Sequence, residues 1–190
     1  MRKILWISGM MLLAACAGQP QRPAGFETYR SATVQVTTGV QKGEPYVQAL
    51  QERIVAALRE RQVFSAVVAG DETSAADRLI LQVNITRFVR VHEPLRIALG
   101  RMAGSNEVGA DITLRDSATG QDLGTFHLQG ESPLYPPNTD WPRGTIEIAM
   151  DRFAGALIEI LLGWKEAGPP GGRASWLLGT VGPEVEIPLR

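Results

Sequence analysis

From Leu79 to Val91 apolar and polar side chains alternate almost without a break, and no other stretch limits the fold so sharply. Leu79, Leu81, Val83, Ile85, Val89 and Val91 fall on one side, with Gln82, Asn84, Thr86 and Arg90 on the other. A period of two over this length describes a β-strand with one face buried and the other in water. A second run sets Val108, Ala110, Ile112 and Leu114 against Glu107, Asp111, Thr113 and Arg115. Asp116 to Gly120 is a cluster of turn residues, and Phe126 and Leu128 continue the inward set beyond it. That arrangement predicts an antiparallel hairpin.

Two segments have helical spacing instead. From Pro45 to Arg61, Val47, Leu50, Ile54, Ala57 and Leu58 line one face, and Pro45 suits a first turn because its missing amide hydrogen is no loss there. From Thr145 to Trp164 the stripe is Ile146, Met150, Phe153, Leu157, Ile160 and Trp164, with Glu147, Asp151, Arg152 and Glu159 facing away. A short alternating piece, Thr33–Thr37, precedes the first helix, and the apolar run Val63–Val68 follows it. Strand, helix, strand in that span implies a parallel crossover. The expected fold is a single α+β domain: a mixed β-sheet of about five strands with two amphipathic helices on one face, in the order β-α-β-β-β-α.

The N-terminus has the three parts of an export signal. Arg2 and Lys3 are followed by an uncharged run, Ile4 to Ala15, too short to cross a bilayer, which takes about 20 residues. The run ends Leu13-Ala14-Ala15-Cys16, which resembles the lipobox of bacterial lipoproteins. That resemblance implies cleavage between Ala15 and Cys16, acylation of Cys16, and, because Ala17 is not aspartate, delivery to the periplasmic face of the outer membrane. Cys16 is the single cysteine, so no internal disulfide competes for it. Residues 1–15 are therefore read as signal peptide and 16–30 as lipidated N-terminus and flexible linker, rich in Gly, Pro and Gln. The domain is expected over 31–164. Residues 165–190 form a Pro/Gly-rich tail whose end alternates Val185, Ile187 and Leu189 with Glu184, Glu186 and Pro188. That end reads either as an added edge strand or as a peptide that docks elsewhere.

Loss of Arg2 and Lys3 leaves 17 basic against 20 acidic side chains, a net charge of about −3. Such a balance gives neither a nucleic-acid footprint nor a polybasic membrane patch. Reactive constellations are equally missing from the sequence. His92 and His127 are the two histidines; His92-Glu93-Pro94 has no second histidine at helical spacing, and His127 sits on the outward side of a strand as a solvated imidazole. Asp116 and Asp122 flank Gly120 without the intervening ligands of a calcium loop. No catalytic, cofactor or metal residues are assigned, and the chain is read as a non-enzyme.

The segment between the two long strands fits neither period. Leu95, Ile97, Leu99 and Met102 are apolar, but Pro94, Gly100 and Gly104 interrupt them. It reads either as a loop over the core edge or as an apolar contact for a partner. Taken with the lipobox, the strand Ala76–Phe88 and the stretch Leu114–Gly124 (Leu-Arg-Asp-Ser-Ala-Thr-Gly-Gln-Asp-Leu-Gly) look like domain of unknown function 4410. The likeness covers about residues 30 to 164, and the architecture is similar to ABC-transport auxiliary lipoproteins. It implies a membrane-anchored accessory of an envelope protein complex, in transport or envelope maintenance, with self-association as a variant. A lipid- or glycan-binding module and a hydrolase of unrecognised pattern stay open as alternatives.

Overall fold

The computed structural model describes residues 20–70, 78–91, 104–133 and 145–167. Five strands form one mixed sheet: β1 (Ser31–Thr38), β2 (Ala66–Ala69), β3 (Arg78–Val89), β4 (Glu107–Asp116) and β5 (Asp122–Glu131). Their spatial order is β2-β1-β3-β4-β5, with β1 parallel to β2 and to β3, and the β3-β4 and β4-β5 pairs antiparallel. Helix α1 (Val47–Glu60) packs on β1 and β2, and helix α2 (Ile146–Glu166) on β4 and β5. Both lie on the same side of the sheet and touch each other, which is the expected α+β architecture.

Local chemistry accounts for the boundaries. A 3₁₀ segment, Gln41–Tyr46, contains Pro45 and leads into α1, so the α-helix proper begins two residues after the proline. At its far end Gln62 takes a left-handed φ of 52°; Gln62 N–H bonds Arg59 O and Val63 N–H bonds Leu58 O, a Schellman closure of the last carbonyls. Strand β2 is shorter than the run Val63–Val68 suggests, because Val63 and Phe64 are spent in the turn, where both are buried. The β4-β5 turn forms as expected: Asp116 N–H bonds Gln121 O, Gly120 N–H bonds Asp116 O, and Gly120 takes φ 70°.

Two features depart from the sequence reading. The alternation of β3 does not run unbroken to Val91. A β-bulge between Ile85 and Arg87 inserts one residue, so Phe88, opposite Val108, enters the core and Val89 is half-buried. The second departure concerns the linker drawn over 16–30. Phe26 is 0% exposed, its ring edge-on to Phe64 (6.0 Å) and Trp164 (5.3 Å), and Tyr29 is also buried. Ordered packing thus begins before residue 31, because an aromatic ring in this segment removes apolar area that a linker would leave wet. The core between the layers is closed by Leu50, Ile54 and Leu58 of α1, Met150, Phe153 and Leu157 of α2, and the inward residues of β1, β3 and β4.

Candidate interaction surface

The face of the sheet away from the helices carries the side chains that remain for function. The strand registers align them into rows. Gln35 of β1 lies opposite Gln82 of β3, Gln82 opposite Thr113 of β4, and Thr113 opposite Thr125 of β5. The next row is Thr37, Asn84, Asp111 and His127. Within the rows, Gln82 Nε2 donates to Gln35 Oε1 at 3.1 Å, Thr37 Oγ1 to Asn84 Oδ1 at 3.5 Å, and the hydroxyls of Thr113 and Thr125 are 3.2 Å apart. His127 Nδ1 sits 2.8 Å from Asp111 Oδ1, with both side chains about half exposed. A shallow open depression of about 400 Å³ runs over these residues.

The composition of the rows matters more than their being polar. Amides and hydroxyls occupy the middle, and the long charged side chains stand toward the ends, as Arg115–Asp122 (2.7 Å) and Arg87–Glu107. An exposed sheet face kept only for solubility would carry its lysines and glutamates centrally; the centre of a protein interface is depleted of them. The alternation gives the outward positions of β4 and those of β3 up to Asn84, but not Arg87, which the bulge turns outward. It does not give their alignment with Gln35, Thr37, Thr125 and His127, since register is a property of pairing.

His127 is exposed as expected, but it is bonded to Asp111 rather than merely solvated. At the end of the sheet where β3 finishes, Asn106 and Ser132 form a buried polar knot: Asn106 Oδ1 accepts from Val91 N–H at 2.7 Å, and Ser132 Oγ from Asn106 N–H at 3.0 Å. Each group has a partner there, so the burial carries little penalty. Among the described residues no cluster of three His, Cys, Asp or Glu could hold a metal ion, and no described helix is long and apolar enough to cross a membrane. Cys16 and Ala15, His92, and the apolar set Leu95, Ile97, Leu99 and Met102 lie outside the described residues.

At the opposite end the N-terminal segment is fastened to the domain. Lys165 Nζ donates to Tyr29 O and stands over the rings of Phe26 and Phe64, 5.3 and 4.9 Å from their centroids. Burial holds its pKa below the ordinary lysine value, with the Glu27 carboxylate opposing that shift. Tyr29 Oη donates to Asp116 Oδ2 at 2.5 Å, and the N–H and hydroxyl of Thr119 donate to Asp116 Oδ1. The Tyr29 hydroxyl, followed by the Thr119 bonds, lowers the Asp116 pKa below its usual 3.8. A depressed carboxylate stabilises the fold above its unfolded pKa and loses that contribution as pH falls through the folded value. Asp116→Asn is therefore expected to lower the thermal midpoint at pH 7, with the gap to the parent narrowing as pH falls below the ordinary aspartate value of about 3.8. A gap that is constant with pH in parallel thermal melts would contradict this.

A family model described as Domain of unknown function (DUF4410) matches residues 32–132, from β1 through β5. The chain belongs to the DUF4410 family. This DUF4410 domain is similar in fold to the PelC dodecamer from Paraburkholderia phytofirmans, with 12% identity, a TM-score of 0.53, and coverage of 76% of this chain and 93% of that one. It is also similar to a DUF330 protein from Xanthomonas campestris (11% identity, TM-score 0.48, 71% and 82% coverage). A third likeness is to a minor lipoprotein from Acinetobacter baumannii (14% identity, TM-score 0.42, 71% and 92% coverage). No curated protein sequence matches the DUF4410 chain. At 12% identity the likeness to the PelC protein speaks for the fold alone.

Proposed function

We propose that this DUF4410 protein is a lipid-anchored, non-enzymatic accessory at the periplasmic face of the outer membrane, which binds another envelope protein through the open face of its sheet. The observation that carries the reading is the amide- and hydroxyl-rich centre of that face, Gln35, Gln82, Thr113 and Asn84 with Asp111 as its one carboxylate, half-buried to exposed beside a closed core. The lipobox-like Leu13–Cys16 supplies the anchor. With Phe26 in the core, the seven residue-to-residue steps from Cys16 to Pro23 span at most about 25 Å, so the tether would hold the domain close to the bilayer. A lipid-binding module would need a cavity between sheet and helices, whereas the described side chains of those two layers bury one another there. A second copy is the other candidate occupant of the face, because the PelC protein of similar fold is a dodecamer.

Two measurements test this. Labelled palmitate should enter the protein, and Cys16→Ala should abolish both the label and membrane fractionation; an unlabelled chain, or a variant still in the membrane fraction, removes the anchor. Photo-crosslinkers placed at Gln82 or Asn84 in intact cells should trap one discrete envelope protein, while crosslinkers at Gln48 or Glu159 on the helices should not. Equal capture from both faces, or none from the sheet, would defeat the binding role. Capture of the chain itself, with a multimeric native mass of the delipidated domain, would assign the face to self-assembly instead.

A further inference from the structure

The two edges of the sheet are treated differently. Strand β2 is only four residues long, and the Arg59 guanidinium closes on its Val67 carbonyl through two bonds, of 2.7 and 3.2 Å. Strand β5 has ten residues and, among the described residues, one strand neighbour, β4, and an arginine bond only at its last residue, from Arg152 to Glu131 O at 3.2 Å. Between Asp122 and Glu131 it reads Leu-Gly-Thr-Phe-His-Leu-Gln-Gly, with no lysine, arginine or proline. Those residues are the usual devices that stop an edge from pairing. Its inward residues are also incompletely covered: Phe126 and Leu128 are half-buried, while Ile112 and Ala110 beside them on β4 are fully buried. A long edge without blocking residues and with half-covered apolar side chains is the edge of a strand that has a partner.

The chain carries a segment that fits. Helix α2 ends beside Phe126, whose ring is edge-on to Trp164 at 5.5 Å, and residues 168–190 continue from that point. Near their end, Glu184-Val185-Glu186-Ile187-Pro188-Leu189 alternates with period two. We propose that residues 184–189 add a sixth strand along the free edge of β5 in the same chain, with Val185, Ile187 and Leu189 turned to the helix side over Phe126 and Leu128. Glu184, Glu186 and Pro188 then face the solvent side, and Pro188 is tolerated because the new strand is itself an edge. Reach does not limit the pairing. The 16 residue-to-residue steps from Gly168 to Glu184 span up to about 55 Å, against about 34 Å for the whole of β5. A tether of that length also favours closure within one chain over capture of a second copy at dilute concentration.

Engineered disulfides test this in the mature full-length chain carrying Cys16→Ser. Glu186→Cys is combined in turn with Thr125→Cys, His127→Cys and Gln129→Cys, three outward positions that sample the register. At least one pair should oxidise within the monomer and yield a linked peptide on digestion. Linkage only between chains would give the edge to a second copy, and no linkage at any position would remove the strand; either overturns the proposal. Amide exchange gives an independent readout. Removing residues 184–190 should speed exchange on β5 by about tenfold or more while β3 is unchanged, and identical β5 rates in the two chains would also overturn it. Neither readout depends on an envelope partner, so failure here leaves the accessory role standing.

Discussion

Phe26→Ala is expected to destabilise the domain by about 3–5 kcal/mol, the range for deleting a fully buried aromatic ring. The residue lies at the start of the described chain, where a truncation study would place dispensable linker. Its ring nevertheless fills the space between Phe64, which follows α1, and Trp164 at the end of α2, and it forms one wall of the pocket for the Lys165 ammonium. Alanine would leave a cavity between Phe64 and Trp164 and remove one of the two rings beside a partly desolvated cation. The thermal midpoint should fall by on the order of 10 °C, and proteases should gain access to residues 20–30. A loss below about 1 kcal/mol in denaturant titration would mean that the segment is an appendage and that the domain begins at β1.

Gly130→Ala is the second large effect, and it comes from overfilling. Gly130 faces α2 from β5, where the helix backbone passes directly above it. A Cβ placed there would meet the carbonyl of Ala149, lie 2.6 Å from Phe153 N and 2.7 Å from Phe153 Cβ. Two of these atoms are helix backbone, which cannot turn aside as a side-chain tip can. The helix must lift from the sheet, and with it the contacts of Met150, Phe153 and Leu157. Overpacking of this kind costs about 1–3 kcal/mol, and a backbone obstacle puts Gly130→Ala at the upper end. Gly124 on the same strand is the control. Its added Cβ would meet Pro23 Cγ at an ordinary 3.7 Å, so Gly124→Ala should stay within about 0.5 kcal/mol of the parent. Equal unfolding free energies for the two variants would refute this account of the α2–β5 contact.

These two glycines look alike in the sequence, since each interrupts an alternating strand. Only the crossing of α2 over β5 separates them. The bulge at Thr86 is a similar case. The pattern Val89, Val91 was a fair continuation of Leu79 to Ile85, but one extra residue against Gly109 exchanged Phe88 for Val89 in the core. Phe26 gives no signal in the sequence, because a lone aromatic in a Gly- and Pro-rich stretch has no period and its partners Phe64 and Trp164 lie far away in the chain.

What could be read directly from the residues was whatever repeats over short range. Period-two alternation named the long strands, three-and-four spacing named both helices and their buried stripes, and the Asp116–Gly120 turn joined β4 to β5. From these the single sheet with both helices on one face followed, because each one-sided element must bury its apolar side against another. The tertiary structure decided what depends on partners distant in sequence: strand order β2-β1-β3-β4-β5, the lateral rows that bring Gln35 to Thr125 and Thr37 to His127, the clasp of Lys165 on the N-terminal segment, and which of the described strands stand at the two edges. Register is set by how whole strands pair and pack, so no single residue announces it.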